Sequence, residues 1–274
     1  MLPFPPYTYG NPAAMGKGFV GALDGLTTNL AGVWWIAKRL LSSYTGALIR
    51  VRRSSDSTEL DIGYDAAGDL DTAALLAFCG AGDGFITVIY NQLGGTNITQ
   101  TIAIRQPKIV ASGSLVTTNS VPAGDTYGTT IWMDAPQLSG SAMTLYTRTQ
   151  NTAGGSFWGC PVAKFGSSAS TEFWPESTNN VDIGAGSTTR KGTITSSVAI
   201  TNSNVITIVS AASSYTLRIG GVTQYTDGTN VVGFGATPNL FGQNGLVNNL
   251  RQLGLIWYQA QHTSTEWLQV EAVL

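Results

Sequence analysis

The chain has 274 residues and a formal net charge of −2, and only 11% of its residues are charged. Charged residues make up about 25% of an ordinary soluble domain. This shortage of lysine and arginine argues against nucleic-acid binding, which needs clustered basic side chains. The single histidine argues against a multi-histidine metal site. We predict neither a metal nor a cofactor.

The first 15 residues are rich in proline and contain three aromatic side chains, Phe4, Tyr7 and Tyr9. Proline keeps such a segment extended. We predict that residues 1–15 form an arm that docks on a partner through these aromatic residues; a disordered tail is the alternative. The segment lacks the pattern of a secretion signal. No stretch of the chain approaches the roughly eighteen apolar residues of a membrane helix.

The next part of the chain predicts a strand over residues 33–37, a helical turn over 38–43 and then a hairpin. Leu48, Ile49 and Val51 alternate with arginines, which indicates a strand with a solvated basic face. The return strand contains Leu60 and Ile62. Turn-forming residues separate the two strands.

A short helix follows this hairpin. Asp71 or Thr72 is suited to cap a helix over residues 73–78, and Gly80 is suited to end it. Residues 85–90 are rich in β-branched and aromatic side chains, which predicts a buried strand.

The rest of the chain predicts closely spaced strands and a terminal helix. Glycine pairs and an Asp-Gly pair mark hairpin turns at 220–221 and 227–228. Thr263 and Glu266 have the spacing of a capping box, which predicts a C-terminal helix. The predicted strands are 107–115, 131–133, 142–148, 157–165, 171–174, 181–183, 191–196, 204–210, 214–219, 222–225, 240–241 and 252–259.

This pattern is typical of an all-β sandwich or jelly roll with a few short helices. No sharp boundary interrupts it, so we predict a single domain over residues 16–274. The two cysteines, Cys79 and Cys160, permit one disulfide but favour two buried free thiols. His262 precedes the terminal helix and is interpreted as a surface residue.

Two parts of the sequence resemble known families. Residues 38–92, from KRLLSSYTGALIRVRR to DGFITVIYNQ, resemble the opening of the arabinofuranosidase-B catalytic domain. The segments YTLRIGGVTQYTD, GFGATPNLFGQNG and LRQLGLIWYQAQ resemble the closing strands of concanavalin A-like, laminin-G-like domains. The resemblance implies a concanavalin A-like β-sandwich (jelly roll). The combination also resembles bacteriophage virion proteins.

The resemblance to the hydrolase is incomplete. A retaining glycosidase needs two carboxyl groups about 5–5.5 Å apart. The family has a Tyr-Asp-Gln-Ser-Gly run, which here reads Tyr90-Asn91-Gln92-Leu93-Gly94, and it has an adjacent cysteine pair that this chain lacks. The glycine-rich segment 233–245, where the family's acid is expected, holds no carboxylate. These departures favour a protein that is not an enzyme and has no catalytic residues.

Sugar binding requires only aromatic faces for stacking and polar groups for the hydroxyls. Trp158, Trp174 and Tyr225, with Glu172 and Asn179, are the predicted carbohydrate-binding residues; a core position for the two tryptophans is the alternative. The other tryptophans are expected in the core. Glu172, Glu176 and Asp182 are otherwise interpreted as surface or turn carboxylates, and the scattered aspartates do not predict a Ca²⁺ site.

The sequence therefore predicts a structural protein of a phage virion, either a head decoration or a tail or fibre component. Its expected partners are other capsid or tail proteins, further copies of the chain and glycans, but neither nucleic acid nor a membrane. The expected location is the virion, after synthesis in the host cytoplasm. The main alternative is a glycoside hydrolase resembling arabinofuranosidase B, and a free soluble lectin is a third possibility.

Overall fold

The computed structural model describes residues 19–127, 130–152, 161–165, 173–175, 179–236, 238–242 and 249–274. The regular secondary structure of this part of the chain is mainly β-strand, with two α-helices and a 3₁₀ turn at Ala103–Arg105. The elements are β1 (Leu30–Trp35), β2 (Ile49–Arg53), β3 (Glu59–Ile62), α1 (Thr72–Cys79), β4 (Gly84–Ile89), β5 (Ile98–Thr99), β6 (Lys108–Ala111), β7 (Ser114–Leu115), β8 (Thr117–Thr118), β9 (Val121–Pro122), β10 (Gly124–Asp125), β11 (Met133–Asp134), β12 (Ala142–Asn151), β13 (Val162–Ala163), β14 (Phe173–Pro175), β15 (Asn180–Ile183), β16 (Gly192–Thr195), β17 (Asn204–Ala211), β18 (Ser214–Ile219), β19 (Val222–Asp227), β20 (Asn239–Leu240), β21 (Leu250–Gln252), β22 (Gly254–Tyr258) and α2 (Ser264–Glu271).

One antiparallel layer has the strand order β1-β22-β12-β17-β18-β19. β21 continues the line of β22 and pairs with the far end of β12. A second set of strands begins with the order β3-β2-β4. β5 pairs with β4 and continues this set in the order β5-β11-β20-β13-β14-β15-β16. β10 pairs with both β6 and β21, so hydrogen bonds run from one part to the other. The predicted all-β sandwich with a C-terminal helix is confirmed.

The sheet that contains β12 and β22 is buried on both faces. Leu145 and Trp257 belong to the main core cluster, which also includes residues of β2 and β4. Their neighbours Tyr146 and Ile256 belong to a second cluster on the opposite face, together with Val270 of α2. The strands alternate between two apolar layers, as strand geometry requires.

The first hairpin and helix are confirmed. β2 and β3 pair from Ile49 to Arg52, and α1 has Asp71 as its N-cap and Gly80 at its C-terminal end. The basic face of β2 is half-exposed, and Arg50 forms a two-pronged pair with Asp61. These elements depend on contacts close in sequence.

The predicted helical turn over residues 38–43 is wrong for residues 38–41, which are extended; at residues 42–43 the chain turns, and the Tyr44 N–H donates to the Leu41 carbonyl. The side chain of Gln92 accepts a hydrogen bond from the Leu40 N–H at 2.7 Å and donates one to the Lys38 carbonyl at 2.9 Å. These bonds hold the segment extended, because the backbone groups that a helix would use are already engaged. The partner lies 52 residues away in sequence, so local propensity does not predict it.

The glycine pair 220–221 forms the predicted hairpin turn, with both residues at positive φ between β18 and β19. The predicted hairpin at 227–228 is wrong. The Asp227 carboxylate accepts from the Thr229 N–H and hydroxyl and pairs with Lys191. The chain then leaves the sheet, and Val232 bridges to Ser187.

His262 is buried, with 5% of its surface exposed, so the prediction of a surface residue is wrong. Its Nδ1 lies 2.7 Å from the Tyr146 hydroxyl, and its ring packs 4.1 Å from that of Tyr258. The Thr144 hydroxyl accepts from the His262 N–H and donates to the Ala260 carbonyl. These bonds hold the residues before α2 against β12.

Cys79 is a buried free thiol, and burial raises its pKa to about 11. Cys160 and the predicted arm, residues 1–15, lie outside the described residues. The single domain over 16–274 stays a prediction. Four of the tryptophans expected in the core are buried, and Trp267 of α2 is half-buried beneath the Arg218 guanidinium.

An ion pair joins α2 to the sheet. Arg218 of β18 donates to both carboxylate oxygens of Glu271, and Thr207 donates to the same carboxylate. Only 9% of the Arg218 side chain and 8% of the Glu271 side chain are exposed. Loss of either charge would leave the other one buried without its partner.

We predict that Glu271→Gln lowers the free energy of unfolding by about 3 kcal/mol, because it leaves the Arg218 charge uncompensated. Urea unfolding measures this. Asp56→Asn, which breaks an exposed pair with Arg53, is the matched control and should leave the unfolding midpoint unchanged. Equal effects of the two substitutions would contradict the prediction.

Stability should also depend on pH through His262. Burial lowers the pKa of His262 below its ordinary value of 6.5, and Glu266 only partly opposes this. Below pH 6.5 the unfolded chain therefore binds a proton before the folded chain does, so the free energy of unfolding should fall. Urea unfolding at about pH 7.5 and about pH 5 should show this fall, and His262→Gln should reduce it. If the free energy of unfolding falls as much in His262→Gln as in the unmodified chain, other titrating groups cause the pH dependence.

Candidate functional site

A cleft of about 480 Å³ opens beside the end of β1. Ligand pockets commonly have volumes of about 300–1,000 Å³, so it can accept a sugar unit. The cleft mixes apolar, charged and hydroxyl-bearing side chains. Its lining residues are Trp35, Ala37, Lys38, Leu40, Asp65, Asp69, Leu70, Thr72, Leu115, Ser120, Val121, Pro122, Arg148, Leu253, Val273 and Leu274.

The acidic part of the cleft is the turn between β3 and α1. The Asp65 N–H donates to the Asp69 carbonyl at 2.8 Å, and the Asp65 carboxylate accepts from the N–H groups of Ala67 and Asp69. Gly68 has φ +82, which an L side chain rarely adopts. This bonding holds two carboxylates on one short turn at the cleft.

Two basic side chains also line the cleft. Lys38 Nζ lies 3.1 Å from Asp69 Oδ1, and both side chains are substantially exposed. Arg148 of β12 donates to the Ser203 hydroxyl at 3.0 Å and to the backbone oxygen of Leu274 at 2.7 Å. Burial lowers the pKa of Arg148. The cleft therefore presents carboxylate groups that accept hydrogen bonds and cationic groups that donate them.

The predicted carbohydrate-binding residues are only partly described. Trp158, Glu172 and the side chain of Trp174 lie outside the described residues. Asn179 is exposed, and its carbonyl accepts from Ser196; Tyr225 is half-buried and packs edge-on against Tyr215. These last two lie on different elements with separate contacts, and the sugar platform stays a prediction. Phe4, Tyr7 and Tyr9 lie outside the described residues.

Asn91, which stands where the family run has aspartate, has a structural role. Its side-chain oxygen accepts from the N–H groups of Val33 and Leu93, both at 3.1 Å. An aspartate would offer the same acceptor. The replacement, counted above as a departure from the family run, therefore keeps this structural acceptor. Asn91 and Gln92 together hold this loop against β1 and the segment that follows it.

A carboxylate does lie beside the glycine-rich segment 233–245, although the segment itself has none. β20 pairs with β11, and Asn239 Nδ2 donates to Asp134 Oδ1 at 3.1 Å. Asp134 is exposed, whereas Asn239 is buried. Asp134 is thus a second candidate for chemistry, supplied by a neighbouring strand.

The remaining acidic residues highlighted in the sequence are engaged separately. Asp125 pairs with Arg251, and Asp182 is buried and pairs with Arg190, so its interpretation as a surface carboxylate is wrong. The described ranges contain no group of three His, Cys, Asp or Glu side chains able to hold a metal ion. Within them, helices are too short or too polar to span a bilayer.

Sequence reasoning missed the cleft residues Asp65, Asp69 and Arg148. The run Tyr64-Asp65-Ala66-Ala67-Gly68-Asp69 carries a signal, because two acids flank a glycine turn after a strand. Nothing local indicates that Arg148 lines the same cleft as this turn, because β12 is brought there only by sheet pairing.

Residues 27–133 match the family described as alpha-L-arabinofuranosidase B, catalytic. The alpha-L-arabinofuranosidase B of Aspergillus oryzae is 43% identical over 65 residues, 23% of this chain and 13% of that protein. The alpha-L-arabinofuranosidase of Hypocrea jecorina is 41% identical over 64 residues, 23% of this chain and 13% of that protein. The aligned stretch is therefore a small part of these relatives.

Two solved arabinofuranosidases share the fold. A mutant GH54 α-L-arabinofuranosidase soaked with 4-nitrophenyl α-L-arabinofuranoside has a TM-score of 0.70 at 16% identity, covering 92% of this chain and 63% of that chain. An arabinofuranosidase complexed with arabinofuranosyl-α-1,2-xylobiose has a TM-score of 0.62 at 18% identity, covering 92% and 64%. Residues 27–133 are thus related to the arabinofuranosidase-B catalytic family, as the resemblance implied.

These findings overturn several predictions. The predicted virion structural protein, the virion location and the leaning toward a protein that is not an enzyme are wrong, because the relatives are arabinofuranosidases and the curated ones are fungal. The prediction of a phage protein rested on composition and on a resemblance that indicates a fold rather than a function. The predicted protein partners and oligomer are not tested by these comparisons.

We predict that Asn91→Ala lowers the free energy of unfolding by about 1–3 kcal/mol, because two N–H groups lose their acceptor. Asn91→Asp keeps the acceptor and should cost less. Urea unfolding of the two variants measures the difference. A larger loss in the aspartate variant would contradict the structural role.

Proposed function

We propose that this chain is a glycoside hydrolase of the α-L-arabinofuranosidase type and that the cleft is its active site. The observation that carries the proposal is the overlap between the family match and the cleft. Residues 27–133 match the catalytic family, and they supply every lining residue from Trp35 to Pro122. Only Arg148, Leu253, Val273 and Leu274 of the lining come from elsewhere in the described chain.

The chemistry requires two carboxyl groups with different roles. Asp65 and Asp69 supply the side-chain carboxylates of the cleft. A sugar that fills the cleft would displace water from both.

Lys38 distinguishes the two carboxylates. Its Nζ lies 3.1 Å from Asp69 Oδ1, and in this proposal Asp69 is the nucleophile or general base. Asp65 accepts two backbone N–H groups and has no cationic partner among its described contacts; in this proposal it is the second carboxyl group of the pair. In this proposal the glycan, which the sequence predicts as a binding partner, is the substrate.

The other lining groups suit a neutral furanoside. Thr72 and Ser120 carry hydroxyls, and Trp35 and Leu253 form an apolar part of the lining. Sugar sites combine such apolar surface with a few fixed polar groups. The opening is large enough for one sugar and part of its neighbour.

The test is hydrolysis of 4-nitrophenyl α-L-arabinofuranoside, which is measured by the release of nitrophenolate. The unmodified chain should turn it over. Asp69→Asn and Asp65→Asn should each lower kcat by about 10²- to 10⁴-fold. Asp56→Asn, an exposed carboxylate paired with Arg53, is the control and should keep full activity.

Asp134→Asn tests the second candidate. If it abolishes turnover while the two cleft variants retain it, the active site lies at the β11–β20 pair instead. Unfolding midpoints of all variants separate lost chemistry from lost structure. Absence of turnover by the folded, unmodified chain would refute the proposed activity.

A further inference from the structure

One side of the cleft depends on the docking of helix α2. Val273 and Leu274, which follow the helix, both line the cleft. Leu274 is also held by Arg148, which donates to its backbone oxygen at 2.7 Å. The Val273 N–H, in contrast, donates to the Val270 carbonyl of the helix itself at 3.2 Å. The position of Val273 in the cleft wall therefore follows the position of α2.

The helix is too short to be stable without its contacts to the sheet. It spans Ser264–Glu271, and isolated helices shorter than about 12–15 residues are marginal in water. Val270 packs in the second core cluster, and Glu271 pairs with Arg218. At the other end of the helix, His262 is buried against the sheet just before the helix begins. α2 therefore stays docked only while the contacts at both of its ends are kept.

The bonding of His262 suits a neutral imidazole. Its Nδ1 lies 2.7 Å from the Tyr146 hydroxyl, and within the described ranges this nitrogen is the acceptor available to that hydroxyl. The hydroxyl therefore donates and Nδ1 accepts. A proton on Nδ1 turns that nitrogen into a donor, so the buried tyrosine hydroxyl loses the acceptor for its own proton.

The groups around the imidazole do not balance a positive charge. They are Tyr146 of β12, Tyr258 of β22 and Glu266 of α2. Burial raises the pKa of both tyrosine hydroxyls, which stay neutral. The Glu266 carboxylate accepts from the N–H and hydroxyl of Thr263 in the capping box, and it only partly opposes the burial that lowers the pKa of His262. A charged imidazole is therefore more stable in water than between the two tyrosines.

We propose that protonation of His262 releases α2 from the sheet and thereby opens the cleft on its Val273 side. Water then reaches the charged ring. The release is local, because β12 and β22 keep their pairing with each other and with β17 and β1. The inference rests on the proposed function in one respect: if the cleft is the active site, acid changes the shape of that site.

The experiment measures amide hydrogen exchange of residues 264–274 by mass spectrometry, corrected for the effect of pH on chemical exchange. Between about pH 7.5 and about pH 5 the protection of α2 should fall by up to about thirtyfold, which is the limit for a histidine that titrates at its ordinary pKa of 6.5 only after release. Helix α1 also has eight residues and is the matched control, so its protection should stay unchanged.

The chain has one histidine, so NMR titration of the imidazole ring protons follows His262 alone. In the docked chain the ring should titrate below pH 6.5, and the protection of α2 should stop falling near the pH of that titration. In His262→Gln the protection of α2 should be the same at both pH values.

Three results would overturn the proposal: unchanged protection of α2, an equal fall in α1 and α2, or the same fall in His262→Gln. If that variant does not fold, the unmodified chain still decides the matter. A ring that titrates at its ordinary pKa in the docked chain contradicts the coupling between His262 and α2.

The two proposals fail separately, because the exchange measurement needs no substrate. A chain that releases α2 in acid but does not hydrolyse the arabinofuranoside refutes the proposed function and leaves this inference standing. A chain that hydrolyses the arabinofuranoside while α2 stays protected at both pH values does the reverse.

Discussion

The amide side chain of Gln92 sets the geometry on which the cleft depends. Gln92 is buried, and its oxygen and nitrogen hold the backbone at Leu40 and Lys38. This segment would otherwise be free to form the helical turn that its composition favours. Held extended, it brings Lys38 to the turn that carries Asp69. One side-chain amide thus connects the loop after β4 with the charge arrangement of the candidate site.

The sequence allowed prediction of the parts that depend on neighbours within a few residues. The capping of α1 and the capping box of Thr263 and Glu266 are examples, since their donors and acceptors lie within one turn. The site was not predictable in this way. Arg148 lines the same cleft as the acidic turn only because sheet pairing brings distant segments together. The buried position of His262 depends on a hydrogen bond to Thr144, more than a hundred residues earlier.

Hydrogen bonding inside the sandwich also accounts for part of the hydroxyl-rich, charge-poor composition. Such a composition also suits a surface that packs against other subunits. In the structure Thr147, Ser210 and Gln252 are fully buried and hydrogen-bonded within the sandwich. Because the β12 sheet is covered on both faces, polar side chains that would usually face water satisfy one another inside. Composition alone does not distinguish an outer polar face from an inner one.

The cleft joins segments from opposite ends of the described chain, because Trp35 and Val273 both line it. During ribosomal synthesis, chain elongation proceeds from the first of these segments to the last, and α2 emerges after the 22 strands that the structure describes. The pocket cannot be complete in a nascent chain before that helix docks. A transcript that stops before the codons for α2 would therefore encode a sandwich whose cleft lacks part of its lining.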